Sequence, residues 1–181
     1  PRGGHAAVVL AGEIHVLGGG NSERTLADHD VYDPATRVWT ARAGLPRAAG
    51  SVAAVVHDGR LFAIGGRSGP GDFGDVDVYD PATNVWTSGP KIGPRGTAGA
   101  AVHCGAVIVV GGETQAPAAV LNEVLRLDGE AWRVMPPLPT ARSFARAVTW
   151  RGAVYVVGGG VAPQTSHAPE GSAAAWRLGC G

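Results

Sequence analysis

Short runs of apolar residues alternate with polar turns along this chain, and the runs recur in the same order four times. Each unit begins with a strand-length run of small residues, followed by an x-Gly turn, a run of branched or aromatic residues and a Gly-Gly pair. The second unit shows this order in full, from the small residues of 48–56 through Asp58-Gly59 to Gly65-Gly66. No unit carries a sustained apolar stripe with a 3.6-residue period, so the pattern predicts strands and no substantial helix.

The period of the repeat is nearly constant. The Gly-Gly pairs begin at Gly18, Gly65, Gly111 and Gly158, so the steps between them are 47, 46 and 47 residues. Trp39, Trp86 and Trp132 follow with steps of 47 and 46 residues. Self-similarity at this spacing is typical of proteins built from stacked or radially arranged units.

Each unit is interpreted as four short antiparallel strands. The x-Gly turn fits a tight hairpin between the first two strands, because glycine accepts positive φ without steric cost. The third strand ends at an Asp-Pro-Ala-Thr turn, seen at Asp33 and Asp80, and the fourth strand carries the tryptophan. A four-stranded unit that is apolar on both faces needs a neighbour on each side, which predicts radial stacking into a β-propeller.

The motifs of the repeat resemble those of the kelch-repeat β-propeller family. The features that match are the Gly-Gly pairs, the Tyr32…Trp39 and Tyr79…Trp86 pairs downstream of them, the Pro-Arg starts at Pro1, Pro46 and Pro94, and Arg142 in the fourth unit. The period lies closer to kelch repeats, at about 50 residues, than to the roughly 40–45 residues of WD40 repeats. The third unit departs from the pattern, since Leu127 replaces the tyrosine.

The resemblance implies an all-β fold and a single partial kelch-type propeller domain over residues 1–181. Its predicted blades span about 1–44, 45–93, 94–139 and 140–181. In the last unit, residues 173–178 align with the third strand of the preceding unit, which makes Trp176 a third-strand residue. We therefore expect a fourth blade without its outer strand, and a chain that is a fragment of a larger propeller.

Charge and composition narrow the classes of partner. The formal net charge is zero and the isoelectric point is about 7.5, so neither nucleic acid nor an acidic membrane surface is an expected partner. No apolar run reaches the length of a membrane span. The two cysteines, Cys104 in a predicted hairpin turn and Cys180 near the end, are expected to be free thiols.

The loops after the Gly-Gly pairs and the connections between units are expected to emerge on one face, called here the loop face. Loops on a rigid repeat scaffold are where binding residues concentrate. By resemblance to kelch relatives, arginines on this face are predicted to contact anionic or carboxylate groups. The alternative is that these arginines brace neighbouring loops through backbone carbonyls. The predicted ligand-binding residues are Arg47, Arg67, Arg95, Arg142, Ser143, Asp72, Phe73, Glu113 and His29.

No metal or other cofactor is predicted. Glu23 and Asp28-His29-Asp30 could form a metal cluster, but adjacent residues of a strand point to opposite faces. Asp72, Asp75 and Asp77 lack the spacing of a calcium loop. His15 stands in a column of apolar residues and is expected to be a packed, hydrogen-bonded residue. His167 falls in a long loop, and no catalytic triad is visible.

The predicted function is that of a binding module that presents its loop face to a protein or a small polar ligand. The alternative is a propeller domain of a carbohydrate-acting enzyme, similar to galactose oxidase or to a bacterial sialic-acid epimerase. Cys104 lies in a turn on the opposite face from the loops, which disfavours a copper site of the galactose-oxidase kind. No catalytic residue is assigned.

Overall fold

The structure is a computed structural model that describes residues 1–69, 71–163 and 171–180. All regular secondary structure in these ranges is β, which confirms the all-β prediction. The strands form four antiparallel sheets and one separate two-stranded hairpin. The described residues contain no helix of the length and apolarity needed to cross a membrane.

The first two sheets each contain four strands in the order of the chain. Each begins with the small-residue strand and ends with the tryptophan strand, as the repeat pattern predicts. The strands of the first sheet are β1 (Ala6–Leu10), β2 (Glu13–Leu17), β3 (His29–Asp33) and β4 (Val38–Ala41). Those of the second are β5 (Ala53–His57), β6 (Arg60–Ser68), β7 (Gly71–Asp80) and β8 (Val85–Ser88).

The third sheet keeps this order but carries an extra hairpin between its second and third strands. Its four strands are β9 (Gly99–His103), β10 (Ala106–Val110), β13 (Val124–Asp128) and β14 (Ala131–Met135). The inserted hairpin consists of β11 (Glu113–Gln115) and β12 (Ala118–Val120), which the sequence pattern did not predict.

The fourth sheet has three strands among the described residues. They are β15 (Arg146–Trp150), β16 (Ala153–Val157) and β17 (Ala175–Gly179). Trp176 on β17 pairs with Val156 on β16, so its predicted place on the third strand is confirmed.

Apolar clusters between successive sheets hold the molecule together. Leu17 of the first sheet packs in one cluster with Leu61 and Tyr79 of the second, and similar clusters join the second sheet to the third and the third to the fourth. The first strands β1, β5, β9 and β15 contact one another in that order, which makes them the inner strands. Their alanines and glycines allow this close approach, and the arrangement is that of a β-propeller.

The Gly-Gly pairs mark the points where one sheet touches the connection to the next. Gly65 has φ +61°, and a Cβ on it would lie 2.5 Å from the carbonyl oxygen of Arg95. The amide of Gly66 donates a hydrogen bond to the same oxygen at 2.8 Å. Glycine is required here because the backbone is left-handed and a neighbouring main chain occupies the space of a side chain.

The prediction of free thiols is wrong, because Cys104 and Cys180 form a disulfide with a Cα–Cα distance of 5.7 Å. Cys104 lies in the turn between β9 and β10, and Cys180 directly follows β17. His103 Nε2 lies 3.2 Å from the carbonyl oxygen of Gly179, so the third sheet's turn and the end of the fourth sheet's last strand meet in space. The two cysteines are 76 residues apart in the sequence, so the repeat pattern did not indicate that they lie together.

The two end sheets each expose an apolar face. In the second sheet the face toward the first sheet is covered, and Leu61 is fully buried. The corresponding face of the first sheet leaves Trp39 57% exposed. On the fourth sheet, Val148 and Trp150 are likewise more than half exposed.

Candidate functional site

A row of three backbone hydrogen bonds joins the connections that lead into the four inner strands. The amide of Ser51 donates to the carbonyl of Gly4 at 2.8 Å, that of Thr97 to Ser51 at 2.9 Å, and that of Phe144 to Thr97 at 2.9 Å. All four residues have positive φ, between 54° and 64°. The repeat therefore places four equivalent residues at one end of the molecular axis, on the loop face.

A cavity of about 300 Å³ lies where the inner strands begin, next to this row of hydrogen bonds. Most of its lining is alanine, glycine and valine, and its two titratable side chains are His5 and Arg146. Both residues are exposed. Neither has an ion-pair or side-chain hydrogen-bond partner among the residues that the structure describes. The cavity is lined by His5, Ala6, Ala7, Val52, Ala53, Ala54, Ala98, Gly99, Ala100, Arg146 and Ala147.

Arg146 breaks the pattern of its column in the repeat. Gly50, Gly96 and Ser143 form equivalent isolated β-bridges, so they can be used to align the units. The residues three positions after them are Ala53, Gly99 and Arg146. Sequence analysis missed both Arg146 and His5 because it sought charged residues in the loops and treated the inner strands as packing. An arginine in a column of alanine and glycine was the signal that could have found it.

Arg67 is the centre of an ion-pair cluster between two raised hairpins of the loop face. Its Nε lies 3.1 Å from Asp72 Oδ1 and its Nη1 lies 3.1 Å from Glu113 Oε1. The backbone amide of Gln115 donates to Asp72 Oδ2 at 2.6 Å, which ties the β6–β7 hairpin to the β11–β12 hairpin. Asp72 and Glu113 are 5% and 1% exposed, so these three predicted site residues are paired with one another inside the protein.

Arg95 holds neighbouring loops together. Its guanidinium donates to the carbonyls of Gly93 and Gly111 and pairs with Glu123 at 2.6 Å. The side chain is 3% exposed. These hydrogen bonds agree with the alternative that the arginines brace neighbouring loops. They leave few N–H groups of the guanidinium to bind a ligand.

Arg142 occupies the equivalent place between the third and fourth sheets. It donates to the Ala141 carbonyl and to Ser172 Oγ, and its guanidinium stacks 4.8 Å from the centre of the Trp176 ring. Arg142 is buried and its neighbour Ser143 is fully buried. Neither predicted site residue is presented at the surface.

Arg47 and Phe73 remain accessible. The Arg47 guanidinium lies 4.8 Å from the centre of the Phe73 ring and 2.6 Å from Asp75 Oδ2, while its side chain is 51% exposed. Lys91 also contacts Asp75, at 2.7 Å. The hydrogen bond from Lys91, more than the charge of Arg47, holds the pKa of Asp75 below its usual value. This corner presents a cation on an aromatic ring at the surface.

The predicted position of His29 on the loop face is wrong, because the residue lies within β3 and faces the second sheet. It is 1% exposed, and its Nε2 lies 2.9 Å from His15 Nδ1 while its Nδ1 lies 3.1 Å from the Ala43 carbonyl. Because a carbonyl only accepts, His29 Nδ1 carries the proton, and His15 Nδ1 donates to His29 Nε2. Burial lowers the pKa of His29 to about 4. His15 is packed and hydrogen-bonded, as predicted.

The acidic stretch around His29 does not converge on one point. Asp30 pairs with Arg2 on the opposite face of the strand from His29, as the alternation of a strand requires. Asp75 pairs with Arg47 and Lys91, and burial raises the pKa of Asp77. His167 lies outside the described residues.

The geometry defines a β-propeller with its candidate site at the loop face. The chain belongs to the kelch-repeat family, since the profile described as the KLHDC2/KLHL20/DRC7 Kelch-repeats domain matches residues 1–160. The fold is similar to the solved structure entitled "Structure of YjhT", with a TM-score of 0.72 and 14% sequence identity over 99% of this chain and 82% of that chain. At this identity the likeness concerns the fold alone. No curated protein matches the chain.

Proposed function

We propose that this chain is a kelch-repeat binding module that receives a protein or a small polar ligand on its loop face. The observation that carries the proposal is the cavity at the start of the inner strands, whose two titratable side chains have no described partner. An arginine that is open to solvent beside a concave, small-residue wall is suited to an acidic group of a ligand. We therefore place such a group near Arg146 and His5.

The other arginine side chains of the loop face differ in how exposed they are to solvent. Arg67, Arg95 and Arg142 pair with carboxylates or backbone carbonyls and lie largely inside the protein, so we assign them a role in shaping the surface. Arg47 on Phe73 offers a second contact at the rim, because half of its side chain is exposed. Rigid hairpins around a concave centre with adjustable side chains are characteristic of binding faces on repeat scaffolds.

The enzyme alternative has no specific observation in its favour. Two buried carboxylates do lie close together on the loop face, but Asp72 and Glu113 both bind Arg67. Carboxylates fixed in an ion pair are poor candidates for proton transfer to a substrate. The binding proposal is therefore the one that we carry to experiment.

The test is selection of binding peptides from a random peptide library on the immobilised protein, followed by fluorescence anisotropy with the selected peptides. We expect peptides with Asp or Glu, and we expect Arg146→Gln to weaken their binding at least tenfold with a reduced dependence on salt. Arg60→Gln is the matched control, since Arg60 is an exposed arginine at the start of β6, at the other end of the sheet. Peptides whose binding is unaffected by Arg146→Gln and Arg47→Gln, or a library that yields no binder, would overturn the proposal.

A further inference from the structure

The disulfide at the end opposite the loop face sits beside a histidine. The ligand atoms of His103, Cys104 and Cys180 all lie within 4.8 Å of one another. His103 is buried and both cysteines are exposed. Among the described residues, this is the cluster whose atoms are close enough to share one metal ion.

The hydrogen bond of His103 determines which of its nitrogens is available. Its Nε2 lies 3.2 Å from the Gly179 carbonyl, which can only accept, so Nε2 carries the proton. The lone pair is then on Nδ1, and both Nδ1 and Nε2 lie 3.4 Å from Cys104 Sγ. Zinc-binding histidines typically have their other nitrogen bonded to a carbonyl in this way, because the bond fixes the tautomer and the ring.

We propose that the reduced form of this corner is a binding site for Zn²⁺, with Cys104 Sγ, Cys180 Sγ and His103 Nδ1 as its ligands. Two thiolates and one imidazole are a donor set that zinc favours, with ordinary distances of about 2.3 Å for sulfur and about 2.0 Å for nitrogen. The exposure of both cysteines leaves the fourth position to water. The disulfide and the metal are then alternative ways to join the same two segments of chain.

Reduction of the disulfide and binding of Zn²⁺ are two separate steps. Two electrons and two protons add across the Sγ–Sγ bond and give two thiols. A dithiol supplies them and becomes a disulfide, or a phosphine supplies the electrons and takes the oxygen of water to become a phosphine oxide. Zn²⁺ then displaces the two thiol protons to solvent.

The position in the repeat supports a dedicated site rather than a general property of the turns. The turns that correspond to Cys104-Gly105 are Ala11-Gly12, Asp58-Gly59 and Arg151-Gly152. Only the third unit places a sulfur there, next to the end of β17. Because this corner is at the other end of the molecule from Arg146, the inference does not depend on the proposed function.

The test compares zinc and cobalt binding by the oxidised and the phosphine-reduced chain without oxygen. We expect one Zn²⁺ per reduced chain, measured against a chromophoric chelator, and none for the oxidised chain. Co²⁺ should give a thiolate charge-transfer band in the near ultraviolet. His103→Gln should weaken zinc binding at least tenfold, while the oxidised variant keeps its disulfide and its melting temperature.

The matched control is His57→Gln, since His57 occupies the corresponding position before the turn of the second sheet, beside Asp58. It should bind zinc as the unaltered protein does. Circular dichroism of the reduced chain with and without zinc separates a folded site from binding to unfolded thiols. The proposal is overturned if the reduced protein binds no more zinc than the Cys104→Ser/Cys180→Ser variant, or if His103→Gln and His57→Gln behave alike.

Discussion

Gly65 combines two constraints, as the equivalent Gly18 and Gly111 also do. Its backbone is left-handed, and a Cβ would lie 2.5 Å from the Arg95 carbonyl oxygen. Gly59 is also left-handed, with φ +70°, but a Cβ there meets nothing within 4 Å. We expect Gly65→Ala to lower the free energy of unfolding by more than about 3 kcal/mol, against about 1 kcal/mol for Gly59→Ala.

Urea titration of the two variants measures this difference. The pair separates backbone strain, which both share, from the steric overlap that only Gly65 has. Equal losses of stability would mean that the second sheet can move away from the Arg95 carbonyl at little cost.

The buried pair His15–His29 makes stability depend on pH. Burial lowers the pKa of His29 from its ordinary value of 6.5 to about 4, and burial also lowers the pKa of His15. Between these values the unfolded chain binds a proton that the folded chain excludes, so stability falls as the pH falls from about 6.5 to about 4. The contribution of His29 is roughly 3 kcal/mol. The charges nearby are Glu13, Asp30 and Arg42.

Unfolding by urea at pH 7.5, 6 and 4.5 measures this dependence. His29→Gln should flatten it, since glutamine keeps a donor for Ala43 without a titrating group. The exposed His5→Gln serves as the control and should retain the full dependence. A profile for His29→Gln that follows the unaltered protein would assign the effect to other groups.

At the scale of the strand, the tryptophans of the second and third outer strands each bond to the connection that follows the preceding sheet. Trp86 Nε1 donates to the Ala43 carbonyl at 2.7 Å, and Trp132 Nε1 donates to the Pro90 carbonyl at 2.6 Å. Trp39 has no such bond among the described residues and is 57% exposed. The repeat tryptophan therefore contacts the preceding unit in the second and third sheets, and it is exposed in the first sheet.

Replacement of these tryptophans by phenylalanine tests the contact. We expect Trp86→Phe to lose about 1–2 kcal/mol, from one hydrogen bond and part of the packed ring. Trp39→Phe should change the free energy of unfolding by less than about 0.5 kcal/mol. Thermal melts of both variants give the comparison, and similar shifts would contradict the assigned role of the Nε1 bond.

The strands of the repeat could be predicted from sequence because each is marked by a local signal, such as the Asp58-Gly59 turn or the Asp80-Pro81 turn. The β11–β12 hairpin could not, since its strands have three residues each and its place is secured by Asp72 from another sheet. The Cys104–Cys180 bridge and the inward position of His29 were missed for a related reason. Both depend on which segments of neighbouring sheets meet, and no local pattern records that.

For the candidate site, the sequence predicted the loop face, next to which the cavity lies, but it did not predict the residues that line this cavity. Arg95 and Arg142 follow the repeat, yet the carbonyls that they bind lie in loops whose paths are set by the assembled sheets. Arg146 was overlooked because an inner strand was assumed to serve packing alone.

At the scale of the whole molecule, the exposed apolar faces of the two end sheets predict dye binding. We expect the native protein to enhance the fluorescence of a hydrophobic dye, because Trp39 and Trp150 lie on uncovered sheet faces. Trp39→Ser combined with Trp150→Ser should reduce the signal by at least half. Val134→Ser is the control, since Val134 is 69% exposed on the outer strand of the third sheet, away from both end faces.

Size-exclusion chromatography of the same samples separates dye binding from association. A monomer that does not enhance the fluorescence of the dye would show that these faces are covered in solution. A dye signal that persists in the double serine variant would place the binding surface elsewhere.

The row of hydrogen bonds through Gly4, Ser51, Thr97 and Phe144 is built from main-chain atoms, so no side chain takes part in its bonds. These four equivalent positions carry different side chains: none at the glycine, a hydroxymethyl group at the serine, a hydroxyethyl group at the threonine and a benzyl group at the phenylalanine. The main chain joins the units at these positions, while among the side chains Phe144 is exposed and Thr97 is buried. A substitution of Phe144 would therefore change the exposed surface at this end of the axis without removing a side chain from any hydrogen bond between the units.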